Sequence, residues 1–242
     1  MNSAVIVAGG KGIRLGLDLP KQFHDLCGRE IISYSVETFL NHPEIHEVIM
    51  FTPYDWVDHV TRNYPKCIAV EGGTKRQDSS LNGVLATNIE SENILIHDAV
   101  RPFVTARVIS DCLNSLEKAH VSVPIMDSTN SLIELNDKQV SFVDRNHIKT
   151  VQTPQCFKRA LILEVLNSSI DGTDEVGMLL KYNPKKKIEF VKGDSSNLKI
   201  TSQTDLIIAS SLLSVIKAFK FLFSLENLVK KLSEIVDLQK GK

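Results

Sequence analysis

Near the start of the chain a short apolar run, Ala4-Val5-Ile6-Val7-Ala8, passes directly into Gly9-Gly10-Lys11-Gly12, and Gly16 follows close behind. A short apolar run ended by glycine is the pattern of a buried strand. Four glycines within eight residues let the loop take positive φ and bring backbone N–H groups close to an anion. Arg14 and Lys21 lie seven residues apart just beyond, and Pro20 stiffens the backbone before Lys21. Strand, glycine loop and two cations together describe a cradle for a nucleoside triphosphate. No Gly-Lys-Ser/Thr closes the loop, so it is not a Walker A loop. Gly10, Gly12 and Gly16 read G-x-G-x-x-x-G, so it is not the dinucleotide fingerprint either. On their own, these residues also fit an ordinary glycine turn after a first strand.

The next 110 residues alternate strand and helix patterns. Helices are expected at residues 29–41, 57–63, 76–89 and 105–119, the last with Thr105 as N-cap. Strands are expected at 46–51, 67–70, 93–97 and 121–126. This alternation predicts an α/β fold, a Rossmann-like doubly wound and mostly parallel sheet covered on both faces. The pattern breaks over residues 127–152, where two strand-like runs, 131–135 and 140–143, flank the polar turn Asn136-Asp137-Lys138. That segment reads as a projecting β-hairpin arm. A hairpin with so little core of its own needs something to pack on, and a second subunit is the obvious candidate. Helices at 157–167 and 174–182, a strand at 187–191 and a helix at 203–215, extending to 223, complete the domain at 1–223. Residues 224–242 form an amphipathic C-terminal tail.

Composition narrows the function classes. The 242 residues carry a formal charge of −1, so bulk charge gives no reason to expect nucleic-acid binding, and a phosphate site must come from a local cluster of cations. Cys27, Cys67, Cys112 and Cys156 are far apart and show no metal spacing, as expected of free thiols in a reducing cytoplasm. The first apolar run is too short for a signal peptide, and residues 206–225 carry Lys217 and Lys220, so no membrane span is expected.

The polar residues gather after strands, which is where doubly wound sheets bind ligands. Four clusters stand out: Gly9 to Lys21, Gly72-Gly73 to Ser80, His97-Asp98-Ala99-Val100-Arg101-Pro102, and Gly193 to Thr201. Each alone has a plain account as a turn, a cap or a solvated loop. Asp98 caps a turn before Pro102 on that account, His97 is a hydrogen-bonded structural histidine, and Arg101 is one half of a surface ion pair.

Taken in order, these clusters resemble the cytidylyltransferases that make CDP-alcohols, above all the 2-C-methyl-D-erythritol 4-phosphate cytidylyltransferase family. The ribitol-5-phosphate cytidylyltransferases are a close sister group. The resemblance covers roughly residues 3–213 in five blocks: Ala8 to Arg14 with Pro20-Lys21-Gln22, Gly72-Gly73 to Arg76 and Ser79, Ile96 to Phe103, Val143-Asp144-Arg145 to Gln155, and Asn197 to Thr201. It implies transfer of CMP from CTP to a polyol phosphate, with release of pyrophosphate, a requirement for Mg2+, and a place in isoprenoid biosynthesis.

The resemblance also implies roles for particular residues. The nucleotide would be framed by Ala8, Gly9, Gly10, Gly12, Gly72, Gly73, Arg76 and Ser79, with Asp98, Ala99 and Arg101 on the ribose and metal side. Asp98 would bind ribose or Mg2+. Arg14 and Lys21 would hold the α-phosphate, and Lys199 would bridge the phosphates of the two substrates. Ser128, Arg145, Thr153, Thr173 and Thr201 would bind the polyol phosphate. A homodimer is implied, with Arg145 on the arm reaching the partner's site.

The arm opens Asp127-Ser128-Thr129-Asn130. It has the hydroxyl but not the lysine of the methylerythritol enzymes, and the ribitol enzymes also lack that lysine. D-ribitol 5-phosphate therefore stands as the alternative substrate. A non-catalytic nucleotide-binding paralogue is the alternative of another class, and Arg14, Lys21 and Lys199 together argue against it.

Overall fold

The computed structural model describes residues 1–10, 19–73, 76–136 and 139–240, with the backbone alone at Arg76, Lys220 and 223–240. Arg14 and Gly12 lie outside the described residues, as do the turn residues Asp137 and Lys138.

The strands are β1 (Asn2–Val7), β2 (Glu47–Thr52), β3 (Ile68–Glu71), β4 (Asn93–Asp98), β5 (Val121–Asp127), β6 (Leu132–Asn136), β7 (Gln139–Val143), β8 (Lys149–Val151), β9 (Gln155–Lys158) and β10 (Glu189–Lys192). The α-helices are α1 (Ile31–Leu40), α2 (Val57–Asn63), α3 (Arg76–Leu85), α4 (Ala106–Ser115), α5 (Arg159–Leu166), α6 (Glu175–Tyr182) and α7 (Gln203–Lys240). The main sheet runs β10-β5-β9-β4-β1-β2-β3. Its β1–β2, β1–β4, β2–β3 and β5–β10 pairs are parallel. From β1 the chain steps outward to β2 and β3 on one side and returns through β4 to the other. The order therefore reverses beside β1 and β4, and ligands of such sheets bind at the carboxyl ends of the strands at that point.

Residues in the central strands alternate between two apolar layers, which is why β1 and β4 read as nearly unbroken apolar runs. Ala4, Ile6, Met50 and Leu95 pack with Ile32, Val36 and Phe39 of α1 and with Val108, Ile109 and Cys112 of α4. On the other face Val5, Ile49, Phe51, Ile94 and Ile96 pack with Val84 of α3, with α5 through Ile162 and Val165, and with Leu179 of α6. A third cluster, including Leu26, Ile31, Val100, Phe103, Ile200, Ala209 and Leu213, seats the first turns of α7.

Several boundaries differ from those expected. Two antiparallel strands are inserted into the parallel sheet. Strand β9 occupies the start of what residues 157–167 suggested as helix, and α5 begins only at Arg159. Cys156 and Phe157 are buried in opposite layers, which a four-residue strand between two neighbours allows. Strand β8 falls inside the 127–152 segment and pairs with β5, Ile125 opposite Val151 and Asp127 opposite Lys149. The free arm is therefore only the β6–β7 ribbon, and its base is stitched into the main sheet. The helices expected at 76–89 and 105–119 end earlier, at Leu85 and Ser115. Helix α7 runs unbroken across the boundary expected at 223/224. None of the helices, over the described residues, is long and apolar enough to cross a membrane.

In the ribbon Ile133 lies opposite Phe142 and Leu135 opposite Val140. Alternation along each strand puts these four side chains on one face. All are exposed, from 61% at Ile133 to 76% at Phe142.

Candidate active site

Strand β1 delivers the glycine loop. The Ala8 N–H donates to the Phe51 carbonyl, and the Gln22 side-chain amide donates to the Ala8 carbonyl. Gln22 is buried and belongs to the 3-10 turn Lys21–Phe23, so the turn bearing Lys21 is tied to the first residue of the loop. A Cβ placed on Gly10 would lie 3.6 Å from Cε of Lys21, which brings the lysine stem alongside the loop. The same construction places Gly9 and Gly72 over the ring of Phe51, at 3.4 and 3.7 Å, and Gly72 3.1 Å from Oγ of Ser79. The two glycine segments thus meet above one buried aromatic, with the Ser79 hydroxyl beside them. Gly83 lets α3 approach so closely. A Cβ there would stand 2.6 Å from Val5 and 3.0 Å from Phe51.

Strand β4 delivers the charged cluster. Asp98 pairs with Val7 in the sheet, so the two strand ends lie side by side. Its Oδ2 accepts from Nε of Arg101 at 3.0 Å and lies 3.0 Å from Nζ of Lys199. Arg101 also donates from Nη1 to the Asn197 carbonyl, and the Ile200 N–H donates to the Val100 carbonyl. These bonds dock the 194–201 loop against the end of β4. The cluster holds two cations and one acid. Asp98 and Arg101 are almost buried, whereas 38% of the Lys199 side chain is exposed. Sequestering two opposite charges leaves the accessible lysine as a surplus positive charge at the switch point. Ala99 is buried in the following turn, its N–H donating to the Val7 carbonyl.

Thr153 and His97 stand behind this cluster. The Asp98 N–H donates to Oγ1 of Thr153, which lies 2.9 Å from Nδ1 of His97, while Nε2 of His97 lies 3.2 Å from the Arg101 carbonyl. One assignment satisfies every bond: a neutral imidazole that accepts at Nδ1 from the Thr153 hydroxyl and donates from Nε2. His97 is therefore structural, as its sequence context suggested, and the Thr153 hydroxyl is committed to holding the Asp98 turn.

Burial pushes the His97 imidazole down to about 4, against a smaller upward pull from Asp98. Between that value and the unfolded value of about 6.5, the unfolded chain binds a proton here that the folded chain does not. Stability from this site is complete above about pH 6.5 and is lost as the pH falls toward 4, by up to about 3 kcal/mol. Nuclear magnetic resonance titration of the ring is expected to show it neutral at pH 5.5. A midpoint near 6.5 would overturn this.

The remaining expected residues divide between two places. Thr201 donates from its hydroxyl to Asp205 at 2.7 Å, at the start of α7. Thr173 is exposed and precedes Asp174, whose Oδ1 caps α6 and whose Oδ2 accepts from Gln155. Ser128 and Arg145 instead line a cavity of about 520 Å³ at the base of the arm, together with Asp127, Thr129, Asn146 and Lys149. Arg145 donates from Nη1 to the Thr129 carbonyl at 2.9 Å. Asp144 caps the neighbouring 3-10 turn by accepting from the Asn146 N–H. Lys149 forms an ion pair with Asp127 and holds that carboxyl below its usual range. Gly73 accepts from Ser79 through its carbonyl. The Arg76 side chain lies outside the description. Gln22 and Asn197 stand inside the motif blocks without an expected role, Phe51 reads from the sequence only as the end of a strand, and nothing in the sequence marks Lys149.

The model of the family described as 2-C-methyl-D-erythritol 4-phosphate cytidylyltransferase (IspD) matches residues 2–215. The chain belongs to this family. It is a nucleotidyltransferase with the family's α/β fold. It is 32% identical over 213 residues to the 2-C-methyl-D-erythritol 4-phosphate cytidylyltransferase of Thermotoga neapolitana, covering 86% of this chain and 95% of that one. To the Clostridium botulinum enzyme of the same name it is 33% identical over 226 residues, covering 88% and 100%. It is also 31% identical over 226 residues to the bifunctional ribulose 5-phosphate reductase/CDP-ribitol pyrophosphorylase of Haemophilus influenzae. That match takes in 87% of this chain but only 48% of the bifunctional protein, about half its length. Among solved structures, 4-diphosphocytidyl-2C-methyl-D-erythritol synthase from Anaerococcus prevotii superposes with a TM-score of 0.78 at 28% identity, covering 88% of this chain and 96% of that one. The family match stops at residue 215, while α7 continues to Lys240.

Proposed function

We propose that this chain transfers CMP from CTP to 2-C-methyl-D-erythritol 4-phosphate, releases pyrophosphate, and works as a cytoplasmic homodimer. The observation that carries the reading is the meeting of the glycine frame and Lys21 with the Asp98–Arg101–Lys199 cluster at the switch point, in a chain matched by the family model over residues 2–215.

Cytosine and ribose lie against the backbone of Ala8, Gly9, Gly10 and Gly72, with Ser79 alongside. A phosphate oxygen of the polyol phosphate attacks the α-phosphorus in line. The new P–O bond forms as the bond to pyrophosphate breaks, and pyrophosphate leaves with the electron pair. The attacking oxygen is already anionic, so no general base and no covalent enzyme intermediate are needed. What the reaction does need is positioning and positive charge on the phosphorane-like transition state. Lys21 and Arg14 supply that charge at the α-phosphate, Lys199 bridges the two substrates, and Arg145 with Ser128 holds the polyol phosphate. Thr173 completes that side of the site, while the Thr201 hydroxyl, like that of Thr153, already donates within the fold, to Asp205.

Asp98 would be the carboxylate that holds Mg2+, alongside its ion pairs with Arg101 and Lys199. Among the described residues no cluster of three acid, histidine or cysteine ligands exists. A single carboxylate with substrate phosphates suits Mg2+, which keeps most of its coordination for water and phosphate. When bound, the ion would neutralise charge on the triphosphate.

The test is product formation from CTP with 2-C-methyl-D-erythritol 4-phosphate and, in parallel, with D-ribitol 5-phosphate. Asn130 in the arm and the similarity to the CDP-ribitol pyrophosphorylase keep the second substrate as the alternative. The base frame suits a pyrimidine, so kcat/KM for CTP is expected to exceed that for ATP or GTP by at least about a hundredfold, the scale on which a pocket discriminates by size. Comparable values with a purine triphosphate would refute a cytidylyltransferase. Absence of pyrophosphate release with either polyol phosphate would favour a nucleotide-binding paralogue.

A further inference from the structure

The cavity at the base of the arm holds a charge the reaction scheme has not used. It is lined by Asp127, Ser128, Thr129, Arg145, Asn146 and Lys149. The segment Asp127-Ser128-Thr129-Asn130-Ser131 contains no cation, and among the described residues that line the cavity the cations are Arg145 and Lys149.

We propose that Lys149 is a further phosphate ligand of the polyol-phosphate pocket, a second arm cation acting beside Arg145 on a phosphate monoester dianion. The inference rests on the functional reading above and deepens it.

Three observations carry it. First, Lys149 is rigidly placed. It opens β8, directly opposite Asp127 of β5, and the neighbouring pairs Met126–Thr150 and Ile125–Val151 fix that register. Arg145 sits four residues earlier, on the 3-10 turn Arg145–His147. The two cations thus come from one short stretch anchored at both ends. Second, stability does not explain the Lys149–Asp127 pair. The Asp127 side chain is 83% exposed, and ion pairs that accessible contribute little. Third, the chemistry is complementary. A guanidinium grips two phosphate oxygens through its fork, and an ammonium adds a compact point charge that a dianion needs and a monoanion does not. The Ser128 hydroxyl and the Asn146 amide add neutral donors. Asp127 aims the ammonium and, as an acid at the cavity edge, accepts hydrogen bonds from the hydroxyls of a polyol rather than from a second phosphate.

The test compares wild type, Lys149→Ala and Lys149→Arg in steady state with CTP and both polyol phosphates, and separately titrates inorganic phosphate into each protein by calorimetry. Lys149→Ala is expected to raise KM for the polyol phosphate at least about tenfold and to weaken phosphate binding similarly. KM for CTP should move less than about twofold, and Lys149→Arg should recover most of the loss, as a lost charged ligand predicts. An unchanged KM for the polyol phosphate overturns the proposal, and so does an equal rise in KM for CTP. If wild type turns over neither polyol phosphate, the reaction proposed above fails on its own. The phosphate titration still decides on Lys149, because equal affinity in wild type and Lys149→Ala rules it out.

Discussion

Lys21→Ala is expected to lower turnover by a hundredfold or more while leaving the fold intact, and Arg14→Ala is expected to do the same. The cost follows from where the lysine stands and how firmly the turn that bears it is held. Lys21 opens a one-turn 3-10 helix in which the Phe23 N–H returns to the Pro20 carbonyl at 2.9 Å. The ring of Phe23 stacks on Trp56 with centroids 4.4 Å apart and planes 9° from parallel, and His59 packs edge-on against both. On the opposite side Gln22 reaches the Ala8 carbonyl. The turn is therefore clamped to both the glycine loop and α2 before any substrate arrives. A charge carried on a turn anchored in advance needs little reorganisation as the transition state forms, which is why losing one such donor costs so much. A hundredfold corresponds to about 2.7 kcal/mol of transition-state stabilisation. Single-turnover rates at saturating CTP separate this effect from weaker binding. Near-normal turnover in Lys21→Ala would remove the lysine from the chemistry.

The strand ends made this site legible before the fold was known. Apolar runs stopping at Gly9, at Gly72 and at Asp98 mark β1, β3 and β4, parallel strands of one sheet whose carboxyl ends lie along the same edge. The Asn197-Leu198-Lys199 stretch was legible only as a motif. Its place beside Asp98 depends on hydrogen bonds to Arg101 and Val100, nearly a hundred residues away. Strands β8 and β9 were hidden for a different reason. They are three and four residues long, too short for a period to show, and Lys149, Gln155 and Lys158 make them look polar. Thr153 illustrates a subtler gap. Its hydroxyl suits a phosphate ligand by type, yet three-dimensional packing spends it on His97 and Asp98. A residue's chemistry can be read from its type, but its existing commitments require the neighbours.

Mixing two inactive variants, Arg145→Ala and Lys21→Ala, is expected to restore activity once their subunits exchange. The Arg145 cavity is lined by residues of the arm base, and neither Asp98 nor the glycine frame is among them. Arg145 is also not consumed by its neighbour Asp144, which caps its own turn, so the guanidinium is held only through the Thr129 carbonyl in the bonds described. The ribbon just beyond presents Ile133, Leu135, Val140 and Phe142 on one exposed face. An isolated two-stranded ribbon is marginal in water, and an apolar face of this kind calls for a covering surface. A second copy would supply one and, by twofold symmetry, would have its own arm covered in return. In that dimer each site takes Lys21 from one chain and Arg145 from the other. A mixed dimer therefore contains one intact site, built from Lys21 of the Arg145→Ala chain and Arg145 of the Lys21→Ala chain, and one site lacking both. Random exchange of equal amounts makes half the dimers mixed, so about a quarter of wild-type activity is the expected ceiling. Subunit exchange is checked independently by native mass spectrometry of differently tagged chains. Mixed dimers that form and remain inactive would place Arg145 and Lys21 in the same chain's site and end the shared-site arrangement.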